Sequence, residues 1–154
     1  MKIATILPYK ENYTSNGAGA VSLWIKDFMR DSKYKKNVFV FGSTTNNNYL
    51  TKNYININFP SINSRFYSTT KEYSKRIIIK LKKSHYDIIE LHNRPVMVSD
   101  FVKEMNSKII LYFHNDPRTM KGAKTVSDRI NLLNSVDKII FISNWVKKKF
   151  FEGL

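Results

Sequence analysis

Short unbroken apolar runs alternate along this chain with stretches whose apolar residues recur every three or four positions. The first run, Ile3 to Leu7, stops at Pro8. A polar loop, Tyr9 to Asn16, leads into Gly17-Ala18-Gly19-Ala20, after which Val21, Trp24, Ile25 and Phe28 fall at i, i+3, i+4 and i+7. That spacing predicts a strand, a glycine loop and a helix whose apolar face returns onto the strand. Val38 to Phe41, stopped by Gly42, predicts a second strand, and the alternation from Tyr54 to Phe59 a third. The stretch from Pro60 to Thr70 reads as loop. Lys71 to Ser84 predicts a helix with Tyr73, Ile77 and Leu81 on its inner face.

Tyr86 to His92 predicts a strand closed by Asn93-Arg94-Pro95. A helix over about 95–106 follows, with Pro95 at a tolerated first-turn position and Val98, Phe101, Val102 and Met105 turned inward. Two continuous apolar strands, Lys108 to Phe113 and Lys138 to Ile142, flank a helix around Val126 to Asn134, and a basic amphipathic helix from about Asn144 to Phe151 ends the pattern. Strands that are solid runs of Ile, Val, Leu and Phe, alternating with helices, indicate a parallel sheet covered on both faces. The fold class is therefore α/β: one doubly wound, Rossmann-like domain.

In an open parallel sheet, ligands bind beyond the carboxyl ends of the strands, near the switch point of the strand order. Three polar clusters stand at such ends: Tyr9 to Gly19, His92-Asn93-Arg94 and His114-Asn115-Asp116, with Ser143-Asn144 a weaker fourth. In a Rossmann-like order they line one crevice. Gly17-Ala18-Gly19 is not the dinucleotide fingerprint, because Ser22 stands at the third glycine position and Gly42, not an acid, closes the second strand. The start of a helix would explain the glycines equally well, as a turn would Asn115-Asp116-Pro117. His92 and His114 could together hold a metal, but no well-placed third ligand accompanies them, and no metal is expected. His85 lies at the other end of its strand and reads as surface.

Charge adds a partner class. Lys and Arg number 26 against 12 Asp and Glu, a formal net charge of +14. Such an excess favours anionic partners, although a coding bias toward Asn, Ile and Lys would produce it without selection for binding. The basic residues concentrate on the outer faces of the Lys71–Ser84 helix, at Lys75, Arg76, Lys80, Lys82 and Lys83, and again at Lys147 to Lys149. No RNA-binding motif accompanies them and the aromatic residues sit at core spacing, so nucleic acid is the weaker candidate partner, as a basic α/β module, and an anionic membrane surface the stronger. There is no cysteine, hence no disulfide and no thiolate metal site. No apolar run approaches the ~20 residues that span a bilayer, and the expected location is cytoplasmic, soluble or peripheral at the membrane.

Taken in order, the clusters resemble the N-terminal domain of a family 4 glycosyltransferase with the GT-B fold, the retaining enzymes of lipopolysaccharide, capsule and glycolipid assembly. The residues that carry the resemblance are Ile3 to Pro8 with Asn16 to Ala20, Asp87 to Pro95, Tyr112 to Asp116, Val136 to Ser143 and the basic helix Trp145 to Phe151. The resemblance implies that Gly17, Ala18 and Gly19 offer backbone N–H groups to a donor diphosphate. It puts His114 beside the transferred sugar, to bond a hydroxyl or stabilise an oxocarbenium-like charge, and His92, Asn93, Arg94 and Asp116 on the acceptor side. The partners implied are a nucleotide-sugar and a lipid- or polysaccharide-linked acceptor, with no cofactor, because helix dipoles and basic side chains can stabilise the departing diphosphate. The family's second Rossmann-like domain, which makes most nucleotide contacts, has no counterpart in these 154 residues. The expectation is an acceptor-side half, inactive alone: either the chain is a fragment or split gene product, or the donor half is a separate polypeptide.

Overall fold

The computed structural model describes residues 1–58 and 68–154, so the expectations for Phe59 and for the loop over 60–67 lie outside the described residues. Among the described residues six strands form one sheet: β1 (Ile3–Ile6), β2 (Val38–Gly42), β3 (Tyr54–Asn56), β4 (Ile88–His92), β5 (Lys108–Phe113) and β6 (Lys138–Phe141). All pairings are parallel and the order is β3-β2-β1-β4-β5-β6. This is the doubly wound Rossmann order, with its switch point between β1 and β4.

Among the described residues five α-helices connect and follow the strands: α1 (Ala20–Asp31), α2 (Thr69–Leu81), α3 (Val98–Glu104), α4 (Val126–Ser135) and α5 (Asn144–Phe151). They divide unequally between the faces. Val21, Ile25 and Met29 of α1 pack with Ile3, Leu7, Val38 and Val40 on one side. Tyr73, Ile77 and Leu81 of α2, Phe101 of α3, Leu132 of α4 and Phe150 of α5 pack with Ala4, Ile6, Ile89, Leu111 and Phe113 on the other. The handedness of the crossovers explains this: the chain moves one way from β1 through α1 to β2 and on to β3 without a helix, then the other way in the three later crossovers, which carry α2, α3 and α4.

Several helix faces differ from the periodic reading. In α1 the buried stripe is Val21, Ser22, Ile25 and Met29, while Phe28 is 52% exposed and stacks on Trp24 at 5.4 Å. The predicted helix over 95–106 is a turn of 3-10 helix, Pro95–Met97, followed by the shorter α3, and Val102 faces outward. β6, read as buried, is the sheet edge, and its residues are half-buried or exposed. The helix starts are well marked. Ser68 accepts from the backbone of Lys71, Ser143 from that of Val146, and Thr125 with Asp128 forms a reciprocal capping box on α4. Ser143, the weak fourth cluster, is thereby a helix cap. Among the described residues no helix is long and apolar enough to cross a membrane.

Candidate active site

The crossover at β1 and β4 leaves a crevice above the carboxyl ends of β1, β4 and β5. It is a cleft of about 440 Å³ whose walls include Glu11, Trp24, Asn93, Arg94, His114 and Met120. The loop after β1, the start of α1 and the loops after β4 and β5 thus meet, as the strand-end clusters led one to expect.

His114 follows β5 and is half-buried in the cleft wall. Two groups from the end of β4 hold it. Asn93 adopts a left-handed backbone (φ 52°), and its Oδ1 accepts from the His114 backbone N–H at 2.7 Å. His92, 1% exposed, lies behind: its Nδ1 is 2.8 Å from His114 Nε2. Tyr112 stacks on the His92 ring at 4.4 Å and 8°, and its hydroxyl donates to Glu90, which also accepts from Thr5. Trp24 meets His114 edge-on at 5.1 Å. Burial pushes the His114 imidazole down to about 4, and burial together with its neighbour His114 holds His92 well below its ordinary range. Both rings are neutral near pH 7.

The residues expected to share the site divide into two groups. Asn93, Arg94 and His114 line the cleft. His92 is sealed from it by His114. Asp116 is engaged elsewhere: Arg118 reaches both its oxygens, at 2.9 and 3.2 Å, and also bonds Glu152 at 2.7 Å, tying the Pro117–Thr119 turn to the end of α5. The adjacent guanidinium holds the Asp116 carboxyl below its ordinary range.

The glycine loop borders the cleft rather than lining it. Gly17 takes φ +80°, and the Asn12 side-chain amide donates to the carbonyls of residues 16 and 17, closing the loop. Gly19 N–H is spent on the Asn12 carbonyl at 3.1 Å. The anion position at the start of α1 is filled by Glu11, whose Oε1 accepts from Ser22 N–H at 3.1 Å. A Cβ at Gly19 would fall 2.0 Å from that oxygen, so the glycine makes room for the carboxylate. Gly42, where a nucleotide-binding acid was absent, is closed over by Tyr54 and Leu7.

Glu11, Trp24 and Met120 were not singled out for the site by their sequence positions. Glu11 sits in a polar loop with no periodic signal, and the helical spacing of Trp24 reads as core. Among the described residues no three His, Cys, Asp or Glu side chains gather as a metal site.

No protein-family model matches the chain. It is similar to the protein named "Putative glycosyltransferase YtcC" of Bacillus subtilis (strain 168), with 32% identity over 89 residues, which are 54% of this chain and 21% of that protein. The matched stretch therefore spans about a fifth of the relative's length. A similarity of this extent supports glycosyltransferase as a class and carries no finer assignment.

Proposed function

We propose that these 154 residues form the acceptor-side half of a GT-B, family 4 type glycosyltransferase, moving a hexosyl group from a nucleotide-sugar to a lipid- or polysaccharide-linked acceptor in cell-envelope glycan synthesis. The observation that carries the reading is the neutral His114 held in the wall of a cleft at the switch point, with Asn93 and Arg94 beside it. The Bacillus relative supports the reaction class. In the reaction the bond from the anomeric carbon to the diphosphate oxygen breaks, the acceptor hydroxyl oxygen bonds that carbon, and its proton leaves with the diphosphate.

A neutral imidazole suits hydrogen bonding to a sugar hydroxyl and stabilises a developing cation only through its dipole. Arg94 presents a guanidinium to the acceptor side. A donor diphosphate approaching Gly17 to Gly19 displaces the Glu11 carboxylate from the start of α1, exchanging an internal anion for the ligand's. The nucleotide itself is held by a second Rossmann-like domain. The exposed Lys75 and Lys80 on α2, with Lys83 just past its end, dock the domain on anionic lipid, where a lipid-linked acceptor resides.

Radiolabelled transfer from a panel of nucleotide-sugars to membrane lipid extract tests this. The assay compares the chain alone with the chain fused to the remainder of the Bacillus relative. Transfer is expected from the fusion only, and His114→Ala should lower its kcat at least ~100-fold. Vigorous transfer by the 154 residues alone, or an unaffected His114→Ala fusion, overturns the reading.

A further inference from the structure

We propose that His92 is a positioning residue which sets the tautomer of His114: His92 Nδ1–H donates to His114 Nε2, so that His114 carries its only proton on Nδ1 and offers the cleft a donor. The inference rests on the reading of the cleft as the transfer site, and it assigns His92 a role through His114 instead of direct contact with the acceptor.

The geometry allows two arrangements of the 2.8 Å bond. If His114 Nε2–H were the donor, His92 would accept at Nδ1 and its own proton would sit on Nε2. That Nε2 is buried with no hydrogen-bond partner. A buried N–H with nothing to bond is the costlier orphan, and such groups are rare in folded proteins. With the proton on His92 Nδ1 instead, the buried Nε2 is a bare lone pair and no donor is stranded. A charged pair is a third possibility, and the burial that keeps both rings neutral excludes it at pH 7.

The surroundings fix the bond. Tyr112 stacks on the His92 ring and is itself pinned to Glu90, so His92 cannot rotate freely. Asn93 holds the His114 backbone. The two nitrogens of an imidazole point to opposite sides of the ring, so a His114 Nε2 committed to the buried His92 leaves Nδ1 on the open side. It has no partner among the described residues. Without His92, His114 would be free to take the Nε2–H form that imidazoles favour in water, and the cleft would be offered a lone pair where a sugar hydroxyl oxygen needs an N–H.

Side-chain 15N–1H correlation spectra of the 154-residue chain at pH 7 test this directly. Expected are protonated Nδ1 and bare Nε2 on both His92 and His114; a proton on His114 Nε2 overturns the proposal. His92→Asn places an amide nitrogen near the Nδ1 position and should keep His114 in its Nδ1–H form, whereas His92→Leu should shift it to Nε2–H. Should the leucine variant fail to fold, the wild-type spectrum and His92→Asn still decide. In the transfer-competent fusion, His92→Leu should lower kcat about 10- to 100-fold with acceptor KM unchanged, and His92→Asn should restore most of it. A changed KM with unchanged kcat overturns the positioning role. Absence of any transfer with the expected tautomer would instead overturn the function and leave the histidine pair standing.

Discussion

Gly122 shows how much a single position can depend on a contact distant in sequence. It adopts φ +89°, and a Cβ there would lie 2.8 Å from the backbone N and Cα of Val96, so the loop after β5 lies against the turn after β4 only because this residue is glycine. Gly17 has a similar φ of +80°, but its Cβ would meet only a side-chain amide at 3.4 Å. Gly17→Ala should therefore cost about 1 kcal/mol for the left-handed backbone, and Gly122→Ala up to ~3 kcal/mol, because backbone on both sides must shift. Urea denaturation of the two variants measures the difference, and equal losses would contradict the contact. The sequence marked Gly17 through the glycine cluster around it. Gly122 stood in an ordinary polar loop, and nothing local distinguished it.

At the scale of elements, α2 shows how one helix divides its faces between core and surface. Tyr73, Ile77 and Leu81 are fully buried, and the Tyr73 hydroxyl donates to the Leu7 carbonyl, tying the helix to the end of β1. On its outer side Lys75 and Lys80, and Lys83 just past its end, are exposed and make no ion pair among the described residues, with Ile79 53% exposed beside them. Surface depressions of about 510 and 440 Å³ flank this face. Arg76 and Lys82, grouped with them by sequence, are committed instead: Arg76 to Glu72 at 2.7 Å and Lys82 to Glu104 at 2.6 Å. Replacing Lys75, Lys80 and Lys83 together should reduce co-sedimentation with phosphatidylserine vesicles by roughly 1 kcal/mol per charge, and the difference should vanish in high salt. Binding that ignores salt, or survives the triple substitution, would contradict docking through α2. The apolar period of α2 was legible because one helix face meets one sheet. That of α1 misled at Phe28, because the other described helices pack on the opposite face of the sheet and leave the flank of α1 uncovered.

For the whole molecule, the buried titratable groups set how stability varies with pH. The His92 and His114 pKa values are depressed on folding, so between about 6.5 and 4 the unfolded chain binds protons that the folded chain refuses. Stability contributed by the neutral pair is complete above 6.5 and falls as the pH drops through that window. Glu90 works in the opposite sense. Burial raises its pKa, so the unfolded chain releases its proton first and stability declines as the pH rises above about 4.5. The paired carboxylates Asp87, Glu104, Asp116 and Glu152 have depressed pKa values and lose their contribution only at more acid pH. Denaturation midpoints between pH 6.5 and 5, measured in a Glu90→Gln background where the opposing carboxyl slope is removed, thus isolate the histidines. His114→Gln, which keeps an amide near the Nε2 position, should flatten that limb, and Glu90→Gln should raise stability near neutrality. A limb as steep in His114→Gln as in the parent would contradict the assignment.

The order of the elements, the parallel sheet and the three strand-end clusters were all readable in the sequence, because hydrophobic period and strand termination are local properties of the chain. Whether clusters 20 or more residues apart share one cleft depended on the strand order, and the Rossmann order brings Asn93, Arg94 and His114 together. Tertiary structure alone decided the remaining assignments. It buried His92 behind His114, drew Asp116 into an ion pair with Arg118, and set Glu11 at the start of α1. A residue type and its place at a strand end leave open which way the side chain turns. That direction is fixed by burial and by hydrogen-bond partners that come from other parts of the chain.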